Sequence, residues 1–168
     1  MDLSSLRSAL EEWQAEHVDR LPIDQVADDL VELELISGLV EYERLRRIAV
    51  FDRRGGAETL GYSSVTALLK HRCRMAAGRA HRAVSRSRVL SAARTTLRAW
   101  TSGRISTDQA TLLLDQAVAV PDQFAAAEAK LPPSSRTSPS PTPDVPSATG
   151  VRWWMGPAPS STRSKRNR

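Results

Sequence analysis

The chain has 168 residues, 26% charged, 40% hydrophobic and 5% aromatic, with a net charge of +5. That length suits one domain of about 130 residues plus a tail, large enough to bury a core without metal or disulfide. A lone Cys73 excludes an internal disulfide, no window approaches the roughly 18 apolar residues of a membrane span, and the opening MDLSSLRSALEEWQAEH has no apolar leader segment, so cytoplasm is the expected compartment.

The total charge hides a block pattern. Residues 1–60 hold 14 acids and 7 bases, whereas residues 61–104 hold 10 bases and no acid. Residues 105–131 carry a net −3 and residues 132–168 a net +5. Positive potential is therefore concentrated on one segment of the chain.

In chain order, Ser4 or Ser5 is placed to cap a first helix carrying Leu6, Leu10, Trp13 and His17 on one face, ending near Leu21-Pro22. Asp24 is the expected cap of the next helix, Ile23 to Arg54, about 45 Å long at about 1.5 Å per residue. Val26, Leu30, Leu33, Ile36 and Val40 form one apolar stripe on it, and Leu35, Leu39, Tyr42, Leu45 and Ala49 a second, on nearly the opposite side. Two stripes call for neighbours on both sides, which makes this the expected central helix. After Val40 the first stripe gives way to Arg44 and Arg47, so the far half reads as one-sided.

Gly55-Gly56 ends that helix, and a loop, AETLGY, leads to a short helix capped by Ser63 or Ser64 and carrying Val65, Leu68 and Leu69. The densest basic run follows. It reads as a turn at Cys73–Ala76 and a helix from about Ala77 to Leu90, packing through Ala77, Ala80, Val84 and Ser87. Arg79, Arg82 and Arg86 make an i, i+3, i+7 row on another face, with Arg74, His81 and Arg88 at seven-residue spacing beside them. Further helices are expected from Ala92 to Trp100, from a Ser106 or Thr107 cap through STDQATLLLDQAVAV, and from Pro121 to about Leu131. The expectation is an all-α domain of six or seven helices over residues 1–131. Residues 132–168 are rich in Pro and Ser, carry Trp153-Trp154 and the basic end RSKRNR, and read as a disordered tail from truncation or an altered reading frame.

Residues Leu33 to about Leu131 resemble an actinobacterial family, the thirteen-E-twelve repeat family of mycobacteria, whose domain is catalogued as of unknown function (number two-two-two). The likeness lies in the order of ERLRRIAVFDRRGG, GYSSVTALLKHRCRM, AAGRAHRAVSRSRVL and SGRISTDQATLLL, with ISTDQA the most specific piece. The resemblance implies a helical domain that often precedes an HNH endonuclease module. Here Ala76-Ala77 stand where the family often has a Ser or Thr cap, and His17, His71 and His81 are the only histidines. An HNH site needs His as base and metal ligand, so the reading is a relative without catalytic residues, not an enzyme.

The residues point to no cofactor and no metal. Asp28, Asp29, Glu32 and Glu34 read as solvated flanks of the long helix, since no Glu-x-x-His pair accompanies them. Cys73 beside Arg72 and Arg74 reads as a small buried or half-buried residue. The functional signal is the basic segment, whose two helices and short turn have the outline of a helix-turn-helix. Arg72, Arg74, Arg79, Arg82, Arg86 and Arg88 are the candidate contacts to DNA phosphates. Few Asn, Gln or aromatic residues lie among them, so base reading is not expected. The rival reading is self-association or protein interaction through Leu35, Leu39 and Tyr42 of the long helix, giving a homo-oligomer, with the acidic helix pairing with the basic one. A remnant without activity is the third reading. No membrane partner is expected.

Overall fold

A computed structural model describes residues 2–130, and over them the protein is all-α. The expectations placed on residues 132–168, including Trp153, Trp154 and the basic end, lie outside the described residues. α1 spans Leu3–Gln14, a 3-10 turn Val18–Arg20, and α2 Ile23–Arg53. α3 spans Gly56–Thr59, α4 Val65–Arg72 and α5 Ala77–Arg88. A second 3-10 turn at Leu90–Ala92 precedes α6 (Arg94–Thr101), α7 (Thr107–Ala119) and α8 (Pro121–Lys130). The eight α-helices among the described residues exceed the expected six or seven by α3, a single turn inside the segment read as a loop.

Local chemistry explains most boundaries. The Ser64 hydroxyl accepts from the Ala67 amide at 3.1 Å and starts α4. Ser106 and Gln109 close a reciprocal capping box on α7. α5 starts at Ala76 with no side-chain cap, as the Ala76-Ala77 pair implies. Two caps differ from expectation: Asp2 precedes α1, hydrogen-bonded by the Ser4 hydroxyl, and Pro22 precedes α2, with Asp24 in the first turn where it favours the helix dipole. Gly55 takes a φ of +65°, which ends α2 at little steric cost.

The start of α6 is secured by a residue distant in sequence. Glu128 on α8 accepts the Thr95 amide at 2.6 Å, the Thr96 amide at 3.0 Å and the Thr96 hydroxyl at 3.2 Å. These amides belong to the first turn of α6, where helical N–H groups have no partner of their own. A carboxylate there also meets the positive end of the dipole.

The core lies around the C-terminal half of α2. Leu45 and Ile48 join Val65 and Leu69 of α4, Ala80, Ala83 and Val84 of α5, Trp100 of α6, Ala110, Leu114 and Ala117 of α7, and Phe124 of α8. The buried face of α5 is Ala80, Ala83, Val84 and Ser87. Ala83 thus replaces the expected Ala77, which is exposed, because i, i+3, i+4 and i+7 from Ala80 define the stripe. Small residues let backbones approach: a methyl on Gly38 would lie 2.8 Å from the Thr107 hydroxyl and 3.0 Å from the Trp100 indole nitrogen.

The long helix departs from its sequence reading. Within α2 only Gly38, Leu45 and Ile48 are buried. The first stripe is largely open, with Leu30 63% exposed, and the second is open in its N-terminal part, with Leu35 at 40% and Leu39 at 48%. Leu45 alone of that second stripe is fully buried. The far half of α2, with one buried face, is the half that organises the core. Its near half carries α1 on one side, across a groove lined by Leu10, Trp13, Val26 and Leu33.

Candidate nucleic-acid interface

α5 presents its arginines on different sides, and their surroundings divide the six candidates. Arg79, Arg82 and Arg86 share one cleft of about 340 Å³, formed where α5 meets α2 and the start of α7. Its other walls are Ser37, Glu41 and Arg44 of α2 and Thr107, Asp108 and Thr111 of α7. The i, i+3, i+7 row therefore does converge on one place. Arg44 was missed as a member. Its signal in the sequence was the replacement of the apolar stripe after Val40 by arginine.

Within the cleft the four guanidinium groups are not equivalent. Arg86 holds Asp115 of α7 through two hydrogen bonds, Nε to Oδ1 at 2.7 Å and a terminal nitrogen to Oδ2 at 2.6 Å. That pair lowers the Asp115 carboxyl below its ordinary value, chiefly through the hydrogen bond and against the opposing effect of burial. The same bond raises Arg86. Arg44 is ion-paired with Glu41, while its Nε is buried without a hydrogen-bond partner among the described residues. A buried donor left unpaired costs about 1–3 kcal/mol. Arg79 and Arg82 are exposed and form no salt bridge among the described residues, although the charge of Arg82 adds to the lowering of the Asp115 carboxyl.

Arg88 lies apart from this cleft, where its Nε donates to Oδ2 of Asp52, near the end of α2, at 2.8 Å and raises its own pKa through that bond. Arg72 ends α4, and Arg74 sits in the turn before α5 at a φ of +52°, a left-handed conformation uncommon for a residue with a side chain. Arg74 thus stands outside the helix and does not continue a row with His81 and Arg88. Arg72 and Arg74 are exposed without an ion-pair partner among the described residues. The structure ties two of the six arginines to carboxylates and leaves four open to solvent.

On the second candidate face, Leu35 and Leu39 are exposed, whereas Tyr42 turns inward. Its ring meets Trp100 edge-on, with centroids 6.0 Å apart and planes at 70°. The leucines are therefore surface residues and the tyrosine belongs with the packing around Trp100. Cys73 is exposed. No group of three or more His, Cys, Asp or Glu suited to a metal ion occurs among the described residues. None of the described helices is long and apolar enough to cross a membrane. Comparison of the chain with family models, curated proteins and solved structures found no match.

Proposed function

We propose that the chain is a non-catalytic, cytoplasmic, nucleic-acid-associated helical module that contacts DNA phosphates through α5 and the turn before it. The resemblance to the thirteen-E-twelve repeat family supports this reading. The observation that carries it is the cleft in which the exposed Arg79 and Arg82 stand together with Arg44 and Arg86. A phosphate oxygen supplies acceptors and the opposite charge to the exposed Arg79 and Arg82 guanidinium groups. Arg72 and Arg74 extend the positive surface at the start of α5, while Arg86 and Arg88 hold α5 to α7 and α2. Contacts of this kind position a duplex without reading its bases.

The test is binding of the full chain to random duplex DNA across a salt series, compared with Arg79→Glu/Arg82→Glu. Each phosphate contact contributes about 0.9 to the log–log slope, so the variant should lose roughly two units. Arg86 is left intact because its reversal would also break the Asp115 pair. Absence of retention at low salt, or an unchanged slope in the variant, would sink the proposal.

A further inference from the structure

α2 carries its charge in two blocks. Residues 23–43 contain seven acids and no base, and residues 44–54 contain five arginines against Asp52. One line along α2, stepping by three or four residues, runs through the exposed Asp28, Glu32, Leu35 and Leu39 to the exposed Arg46 and Arg53, with Tyr42 and Ala49 between them packed against the core. A helix surface repeating at that interval is the kind that pairs with another helix. This side differs from the one bearing Ser37, Glu41 and Arg44, so the arginine cleft stays open whatever covers the leucines.

Apolar side chains this exposed lose free energy to water unless something covers them. Charge selects the occupant. We propose that a second copy of this chain covers the leucines, with its α2 antiparallel to the first and a two-fold axis near Leu39. In that arrangement Glu32 meets Arg46 and Arg47 of the second copy, which also hold Glu43 of their own helix, and Asp28 meets the region of its Arg53. The two-fold repeats both contacts, as an isologous interface requires. A parallel arrangement sets seven acids against seven acids and five arginines against five, so it is repelled at both ends. Beside the arginines, Val50, Phe51 and Leu60 line an open groove with Arg46, Arg47 and Arg54. With the axis near Leu39, this basic rim lies opposite the acidic stretch around Asp28 of the second copy.

The experiment is sedimentation equilibrium of the full chain, with circular dichroism as the control for fold. The wild type should dimerise. Asp28→Lys/Glu32→Lys and Arg46→Glu/Arg47→Glu should each raise the dimer Kd at least tenfold, because each places like charges at both contacts. Mixing the two variants should restore a one-to-one heterodimer, since lysines then face glutamates at one contact and the native pair remains at the other. A wild type that stays monomeric at every concentration overturns the proposal. So does a mixture no tighter than its components, or charge reversals that leave the Kd unchanged as parallel pairing requires. Leu39→Glu should also abolish the dimer while leaving the helical signal intact. DNA retention is read separately, so either proposal can fail without the other.

Discussion

Residues 2–37 and residues 38–130 are both helical and both carry apolar side chains, yet they behave oppositely. The first region holds ten acids and two bases and has no buried residue, and its Leu30 and Val31 are more than 60% exposed. The second holds 16 bases and eight acids and contains the whole core. Apolar periodicity is thus insufficient for burial. In the second region small residues, Ala80, Ala83, Ala110, Ala117 and Gly38, let helices come close enough to exclude water. In the first, the leucines, valines and Trp13 of α1 and α2 face one another across an open groove that leaves them in contact with water.

Side-chain truncation breaks the comparison most sharply. Leu45→Ala or Leu114→Ala, at fully buried positions, should cost about 2–5 kcal/mol in urea unfolding. Leu30→Ala should stay within about 0.5 kcal/mol, as is usual at the surface. Equal losses at Leu30 and Leu45 would show that the first region is part of the cooperative core.

A smaller effect is expected where the second region is joined by polar contacts across the sequence. Glu128→Ala removes the acceptor of three hydrogen bonds at the start of α6. The expected loss is about 1–2 kcal/mol in the unfolding free energy. A loss near zero would mean that water replaces the carboxylate as the cap.

The smallest effect depends on pH. Arg86 holds the Asp115 carboxyl below its ordinary value in the folded chain, so the pair adds stability above the usual carboxylate range. That contribution disappears as pH falls through the lowered value. Asp115→Asn should therefore cost at most about 1 kcal/mol near neutrality, given the solvent access of the pair. The gap from wild type should close as the solution is acidified, measured by urea unfolding at several pH values. A gap that persists in acid would assign the loss to packing rather than to the charge.

Much of this molecule was legible in its residues. The order of the helices, a cap at Ser63 or Ser64 and at Ser106 or Thr107, the glycine stop after Arg54 and the uncapped start of α5 follow from side-chain hydrogen bonding and backbone sterics within a few residues, and the structure selects Ser64 and Ser106. The convergence of Arg79, Arg82 and Arg86 also follows from helical spacing. Other features depend on what lies across a gap in sequence. Arg44 joins that cleft because α2 passes beside α5, and the 29-residue separation of Arg86 from Asp115 gives no local sign of their bond. Likewise, nothing near Thr95 announces Glu128 as its cap.

The sequence by itself determined the all-α class, most of the helix boundaries and the two blocks of charge along α2, because propensity, capping and periodicity act over a turn or two of chain. Only the tertiary structure decided which apolar stripe is buried, which arginines are already held by carboxylates, and which face of α2 is left to solvent. Burial and ion pairing belong to surfaces that meet, and one helix cannot specify its neighbours alone.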